Sequence, residues 1–467
     1  MLSKNNKSME RLPAKKNSRH RHTLLISGKG TLMNRKTVLL LITPLILLTG
    51  STQGTADPLK EELERLKARI EQIEKKLEAQ TTKNTQQDDK LHLQEAALAN
   101  QATIVDDLTS ISRAIGNLEF SIGATSVLQG TINNDRNHHK TPGIDEKGDD
   151  TDASYSVDVE IGAKIGTNGR AFLHLEAGEG EGLNAEAAGL TGVNADALGD
   201  SVDFEVAELW YEHSFMAGRI IATVGKLDPV VYFDANAVAN DENIQFLSDQ
   251  FVNNIAVDFP DYSYGIRLSC LPAAWMEINL GVLEADGDYE DIFDDNFFIA
   301  EIVLKPEFGD RSGNYRIYAW RNSGEHEKLR DTLRDDKSGD GIGLSFDQQL
   351  SQHMTAFCRY GQQSSDIYEV DRAWSAGFQI TGGLWGREKD LFGIAYGAAA
   401  ISSAYRDVLR NEGFSTTAAE SRIEAYYRFW VNDHLSLSPD IQWLDGLGGT
   451  HSADTVSIFG LRAHLDF

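Results

Sequence analysis

The sequence is poor in cysteine, proline and basic residues. Only 2 of its 467 residues are cysteine and 9 are proline, which excludes a small disulfide scaffold. After residue 56 no run approaches about 20 apolar residues, which excludes a membrane-spanning helix. Lysine and arginine number 44 against 71 acidic residues, a net charge of −27 that argues against a nucleic-acid partner. With 41% hydrophobic residues, the chain still has ample material for a packed structure.

The first 56 residues have the pattern of a secretory signal peptide. A basic start at Met33 precedes the apolar run Thr37–Thr49, and small residues follow at Gly54-Thr55-Ala56. The run is too short for a single-span anchor, which is the alternative interpretation. We therefore expect translation from Met33, with residues 1–32 a basic lead that export does not need, and a mature charge of −36.

Residues 57–115 predict a helical coiled coil. Apolar residues recur at alternating steps of four and three, which is a heptad seam. The seam comprises Leu59, Leu63, Leu66, Ile70, Ile73 and Leu77. A polar break at 80–90 and a weaker helical pattern up to Ile115 follow. The alternative is a lone amphipathic helix that packs on a partner, and either form is expected in the periplasm.

From Leu118 the hydrophobic period changes to two, which predicts an all-β transmembrane barrel over residues 116–467. We count about 16 antiparallel strands, with long polar links alternating with short turns. Their expected starts are residues 118, 154, 170, 203, 219, 262, 274, 296, 313, 341, 353, 372, 391, 420, 434 and 456. All seven tryptophans lie near strand ends, as an interfacial girdle requires, and the chain ends in the aromatic Phe467. Cys270 and Cys358 are expected to remain unpaired.

Motifs for catalysis or cofactor binding are missing. The sequence has no Gly-x-Ser-x-Gly, His-Glu-x-x-His or phosphate-binding loop, so we expect no enzyme, no catalytic residue and no cofactor. Asp336–Gly341, which runs from the end of link 322–340 into the next strand, spaces oxygen ligands as a calcium loop does. Position twelve is Asp347 rather than glutamate, so an acidic surface loop is the favoured interpretation and no metal site is assigned.

Several segments resemble the OprB-type carbohydrate-selective porins. The most specific begins Val224-Gly225-Lys226-Leu227-Asp228-Pro229 and continues through Phe251-Val252-Asn253-Asn254. His434–Gln442 and the closing Gly460–Phe467 fit as well. The resemblance implies a 16-stranded barrel with a passive, sugar-permeable channel. The added coiled coil resembles siderophore porins of the LbtU type, which leaves the solute open.

The longest link of the barrel, 227–261, is the candidate constriction. Its aromatics favour a position folded into the lumen, either to stack on sugar faces or only to pin the loop to the wall. The candidate constriction residues are Lys226, Asp228, Tyr232, Phe233, Asp234, Asn236, Asn240 and Asp241. Strand parity places further charges on the lumen wall, and their mixed signs predict a weak ion preference. These are Lys164, Arg267, Glu301, Arg359, Glu424, Arg428 and Arg462.

Three functions are compatible with the predicted barrel and coiled coil. The first is passive diffusion of carbohydrates or similar small hydrophilic solutes through an outer-membrane porin. The second is siderophore uptake through the same barrel, and the third is an envelope tether in which residues 57–115 bind periplasmic partners. The expected partners are outer-membrane lipids, the solute, the barrel-assembly machinery and a second copy through the coiled coil.

Processing provides a direct test of the predicted export signal. We expect N-terminal sequencing of the protein from the cell envelope to read Asp57-Pro58, because cleavage follows the small residues at 54–56. A mature chain that still carries Arg35 and Lys36 would contradict the prediction.

Overall fold

A computed structural model describes residues 62, 64–85, 87–88, 90–92, 118–132, 149–187, 189–287, 294–330, 337–450 and 455–467. The chain divides into two compact units, residues 1–94 and 95–467, which are considered separately. The predicted signal peptide, the seam residues Leu59 and Leu63, and the pattern beyond residue 92 lie outside the described residues. Asp336 of the candidate calcium loop does too, whereas residues 337–341 begin a strand.

The first unit contains a helix over Glu64–92. Its seam side chains Leu66, Ile70, Ile73 and Leu77 are all more than half exposed. The described part of residues 80–90 is helical as well, so the polar stretch interrupts the hydrophobic pattern without ending the helix. No described helix has the length and apolar character needed to cross a membrane.

The second unit is a closed barrel of sixteen antiparallel strands. Residues that alternate between apolar and polar form these strands because successive side chains point to opposite faces. The strands are β1 (Leu118–Ile132), β2 (Thr151–Ile165), β3 (Gly169–Gly180), β4 (Gly199–Phe215), β5 (Ile220–Leu227), β6 (Ser263–Ala273), β7 (Met276–Glu284), β8 (Asn296–Leu304), the two-residue β9 (Glu307–Phe308), β10 (Arg311–His326), β11 (Lys337–Ser351), β12 (Met354–Gln363), β13 (Val370–Thr381), β14 (Leu391–Ile401), β15 (Ala419–Trp430), β16 (Leu435–Asp445) and β17 (Val456–Asp466).

Pairing between the first and last strands closes the barrel. β1 and β17 are antiparallel from Gly123 opposite Asp466 to Ile132 opposite Ser457, while β8 pairs directly with β10. The short β9 only forms a ribbon with the start of β10, and the other sixteen strands build the wall. The predicted strand count is therefore confirmed, and every predicted start lies within four residues of the observed one.

Long and short connections alternate around the barrel, as the sequence predicts. Short turns such as 166–168 and 352–353 lie at one end, and the links 181–198, 228–262 and 402–418 lie at the other. The last of these contains a helix, Ser403–Asn411, whose N-terminus is capped by the Ser402 side chain. In outer-membrane barrels the short turns face the periplasm and the long loops face outward.

The two faces of the wall differ sharply. In β12, Arg359 is buried whereas its neighbour Cys358 is exposed, and both cysteines of the chain are free thiols.

The predicted tryptophan girdle is only partly correct. Trp275, Trp374, Trp385 and Trp443 are exposed, but Trp210 and Trp320 are buried with Phe233 and Phe297 on the inner face. A position near a strand end does not distinguish the inner face from the outer face. The prediction for Trp210 and Trp320 was wrong for this reason.

The exposed apolar seam of the helix leads us to expect self-association of the chain. Replacing Ile70 with Asp should place a charge in the apolar seam and shift the detergent-solubilised protein towards monomer in sedimentation. Gln72→Asp, which adds the same charge off the seam, is the matched control and should leave the assembly unchanged. A wild-type protein that sediments as a monomer would exclude oligomerisation through this helix.

Candidate functional site

The loop over residues 228–262 lies inside the barrel. At one side Thr125 of β1 donates a hydrogen bond to Asn243 at 2.5 Å. At the opposite side, the Asp234 amide donates to Glu301 of β8 at 3.0 Å, and Tyr318 of β10 donates to the Asp234 carboxylate at 2.8 Å. Strands β1 and β8 are on opposite walls, so a segment that contacts both crosses the lumen.

A buried ion pair anchors this lumenal loop. The Arg359 Nε lies 2.9 Å from the Asp234 carboxylate, and the two side chains are 1% and 0% exposed. Arg359 also donates to the carbonyls of Phe251 and Asp234 and to the Asn240 side chain, at 2.7 to 3.0 Å. Asp234 has a φ of 57°, a left-handed conformation that an aspartate adopts at a cost, and its carboxylate accepts from the Asn254 amide. Several neutral and charged donors thus hold one tight turn against the wall.

The aromatics of the loop serve as packing anchors. Phe246 contacts Phe251, Phe357 and Tyr426, with ring centroids 5.0 to 5.6 Å apart, and all four are buried. Phe233 is equally buried in the cluster with Trp210 and Trp320. Side chains without exposed ring faces cannot stack on a solute. The structure therefore favours the pinning interpretation over sugar stacking for these residues.

A second lumenal loop, residues 181–198, was missed by the sequence analysis. Its backbone accepts hydrogen bonds from Gln129 of β1, Gln442 of β16 and Arg422 of β15, the last at 2.9 Å to Thr191. It also pairs with the first loop, since the Ala195 amide donates to the Leu247 carbonyl at 2.8 Å. The signal was present in the sequence, because this link is rich in alanine and leucine, and its Leu183 and Val193 side chains are both fully buried.

Between the two loops and the wall of β2, β3 and β4 lies a cavity of about 940 Å³. Carboxylates from the wall, such as Asp158 and Glu208, face amides from the loop, such as Asn240 and Asn243. Two aromatic side chains, Phe259 and Tyr262, complete one side of it. The cavity is large enough for a small hydrophilic solute and offers it mostly oxygen acceptors and amides.

Four of the predicted constriction residues line this cavity. They are Asp228, Asn236, Asn240 and Asp241. Tyr232 instead packs under the Arg267 guanidinium, 4.6 Å from the ring centroid. Phe233 and Asp234 are buried in the loop anchor, so they position the loop and do not face the cavity.

The prediction that Lys226 faces the lumen is wrong. It lies opposite Leu209 and Tyr264, which are 53% and 40% exposed, on the outward face of β5. The inward positions of β5 are Thr223 and the neighbouring Leu227, both buried. Lys226 was a candidate because it lies in the segment that resembles the OprB-type porins. The alternation of side chains along β5 places it on the outer face, where its Nζ donates to the Val206 carbonyl.

The predicted wall charges lie on the inner face, but most contact protein groups. Glu301 and Glu424 accept from loop amides, Arg462 donates to the Gln245 carbonyl at 2.8 Å, and Arg428 donates to Ser436. Lys164 differs, since it is 68% exposed at the short-turn end and pairs with Glu119 at 2.6 Å. Their role in conduction stays a prediction.

Two cavity carboxyls in the loops have raised pKa values. Burial is the main cause for Asp196, whose pKa rises to about 7 although Ser156 donates to it at 2.7 Å. Burial, together with the nearby Glu208 carboxylate, raises the pKa of Asp228 to about 7. Both groups gain negative charge as the pH rises through neutrality.

Comparison with known families agrees with the geometry. The family model "Carbohydrate-selective porin, OprB family" matches residues 146–467, which is most of the chain and nearly all of the barrel. The chain belongs to this family. The fold of the porin is similar to that of the high-pH structure of Pseudomonas putida OprB, with a TM-score of 0.66 and 15% identity over 77% of this chain and 96% of that one.

Curated relatives are more distant in sequence. An uncharacterised protein of Aquifex aeolicus is 22% identical over 246 residues, 52% of this chain and 63% of its own length. Porin AaxA of Chlamydia trachomatis is 20% identical over 267 residues, 56% of this chain and 55% of its own. The porin thus spans under two thirds of the length of these relatives. Membership of the family supports an outer-membrane porin.

The anchor of the lumenal loop can be tested directly. Arg359→Met leaves the Asp234 carboxylate buried without its counter-charge, which costs about 3–5 kcal/mol in comparable pairs. We expect the loop to leave the wall and single-channel recordings to show a larger, noisier current. Arg372→Met is the control, because that exposed side chain pairs with its neighbour Asp371.

The double variant Asp234→Asn/Arg359→Met removes both charges and should partly restore the smaller, less noisy single-channel current of the wild type. A wild-type current trace from Arg359→Met would show that the ion pair does not hold the loop in place.

Proposed function

We propose that this porin allows passive diffusion of carbohydrates or similar small hydrophilic solutes through a water-filled outer-membrane barrel. The observation that carries the proposal is the cavity of about 940 Å³ between the lumenal loops and the wall. It combines many polar acceptors with a limited aromatic surface, which is the chemistry that polyhydroxylated solutes require.

Amides supply the complementary groups for hydroxyls. Side chains of this type line the cavity on the loop side, and each amide both donates and accepts a hydrogen bond. They are Asn236, Asn240, Asn243, Gln245 and Asn253. Phe259 and Tyr262 offer ring faces to the apolar C–H face of a sugar. These two residues are proposed for the stacking role that was one of two alternatives for the loop aromatics, Tyr232 and Phe233 among them.

The narrowest ring is proposed to lie where the loop faces β2 to β4. Asp228, Asn236, Asn240 and Asp241 meet the wall carboxylates there. Selectivity in a channel is set by the groups that line its constriction. The buried anchors, Asp234 and Arg359 among them, act by fixing the position of this ring.

The remaining assignments are proposals about the rest of the chain. Residues 1–56 are proposed as an export signal, and the helix Glu64–92 as part of a periplasmic coiled coil that joins copies of the porin. The terminal Phe467 is proposed as the signal for the barrel-assembly machinery, since it ends an alternating strand and its backbone pairs with Ile122.

Liposome swelling with sugars of graded size tests the proposed function. We expect rapid swelling with monosaccharides and slower swelling as solute size increases, because the lumenal loops narrow the barrel. Asn253→Leu replaces a cavity amide that takes no part in the Arg359 anchor with an apolar side chain of similar size, and should reduce the rate for sugars by several-fold. Asn314→Leu, at a polar position near the short-turn end outside this cavity, serves as control.

An iron-chelate uptake assay in a deletion strain is the second arm of this experiment. Chelate uptake by the porin without sugar-dependent swelling would favour the siderophore function and contradict the carbohydrate proposal.

A further inference from the structure

The cavity is strongly acidic. Eleven of its 25 lining residues are aspartate or glutamate, and none of the described residues that line it is lysine or arginine. The carboxylates come from the wall and from both lumenal loops, so they surround the cavity rather than forming one patch. Six examples, from β2 to β4 and from the loops, are Asp158, Glu160, Glu205, Asp196, Asp241 and Asp261.

Three arginines of the inner face contact the lumenal loops and do not line the cavity. Arg422 donates to the Thr191 carbonyl, Arg462 to the Gln245 carbonyl and Arg359 to the Phe251 carbonyl, and all three are at most 3% exposed. They hold the lumenal loops against β12, β15 and β17, whereas the cavity opens towards β2, β3 and β4. None of the three guanidinium groups lines the cavity.

One carboxylate oxygen in the cavity lacks a protein partner. Asp196 is 5% exposed and lines the cavity, and its Oδ1 accepts from Ser156 at 2.7 Å. Its Oδ2 is buried and has no hydrogen-bond partner among the described residues. An unsatisfied buried acceptor is costly, and a cation that enters the cavity would lower that cost by stabilising the carboxylate charge. An ammonium group, with three donors and no acceptor, fits an oxygen-rich site of this kind.

We propose that the cavity makes the channel cation-selective and that, among small carbohydrates, it favours those that carry a protonated amine. The inference rests on the proposed function and specifies its solute class. A cleft lined by charges of one sign raises the local concentration of the opposite charge. Rings of aspartate and glutamate select cations in the same way in other channels.

Reversal potentials in planar bilayers test the inference. Under a tenfold KCl gradient, the wild-type channel should be several-fold more permeable to potassium than to chloride. The preference should be larger at about 0.1 M salt than at 1 M, because the screening length falls from about 10 Å to 3 Å. Under a gradient of glucosamine hydrochloride at pH 7, where the carboxyls with a pKa of about 7 are half ionised, the sign of the reversal potential should again report a permeant cation.

Variants that neutralise carboxylates identify the residues responsible for cation selectivity. Glu160→Gln/Glu205→Gln removes two exposed carboxylates of the cavity and should lower the cation-to-anion permeability ratio at least twofold. The control Glu307→Gln/Glu388→Gln removes the same charge from exposed positions on the short turns and should leave the ratio unchanged.

The outcomes separate this inference from the proposed function. A conducting, sugar-permeable channel without cation preference, or an equal effect of the control variant, would overturn the inference alone. A protein that neither conducts nor permits swelling with glucose would overturn the proposed function and the inference with it.

Discussion

The ion pair between Arg359 and Asp234 fixes the interior of the barrel. Neither side chain contacts solvent, so the attraction between the two charges acts with little screening by water. The Asp234 carboxylate also accepts hydrogen bonds from the Tyr318 hydroxyl on the wall and from the backbone amide of Asn254 in the loop. The turn at Asp234 is therefore bonded both to the wall and to the later part of the loop. Once that turn is placed, the positions of Asn236 and Asn240 in the cavity follow from the short length of chain between them.

The same interactions determine the charge of the passage. A count of charges along the strands gives a wall of mixed sign, but an arginine that donates to a backbone carbonyl no longer faces the lumen. Arg422 and Arg462 are in this position beneath the loops. The carboxylates of β2 and β3 line the cavity. The polarity of the passage therefore depends on where the loops pack, more than on the composition of the wall.

Strand periodicity made the barrel predictable. Each strand repeats with a period of two, which is a local property, so the number, starts and order of the strands could be inferred from short windows. Long-range pairing was not predictable in the same way. Arg422 and Thr191 are separated by 231 positions, and nothing near either residue indicates the other.

Errors in the candidate site have the same physical origin. Lys226 and Asp228 are two positions apart, yet the strand ends between them, so only Asp228 turns into the lumen. Phe233 and Phe246 were expected either to meet solute or to pin the loop, and only their burial against wall aromatics distinguishes the two. The link 181–198 showed apolar residues, but their packing partners on β16 and β17 are remote in sequence.

A loop that joins opposite walls also has a mechanical consequence. An empty barrel of sixteen strands is a thin cylinder that can flatten under lateral pressure from the bilayer. Hydrogen bonds from the loop to β1 on one side and to β8 and β10 on the other connect the walls across the diameter. The loop therefore acts as an internal strut that limits how far the opposite walls can move towards or away from each other.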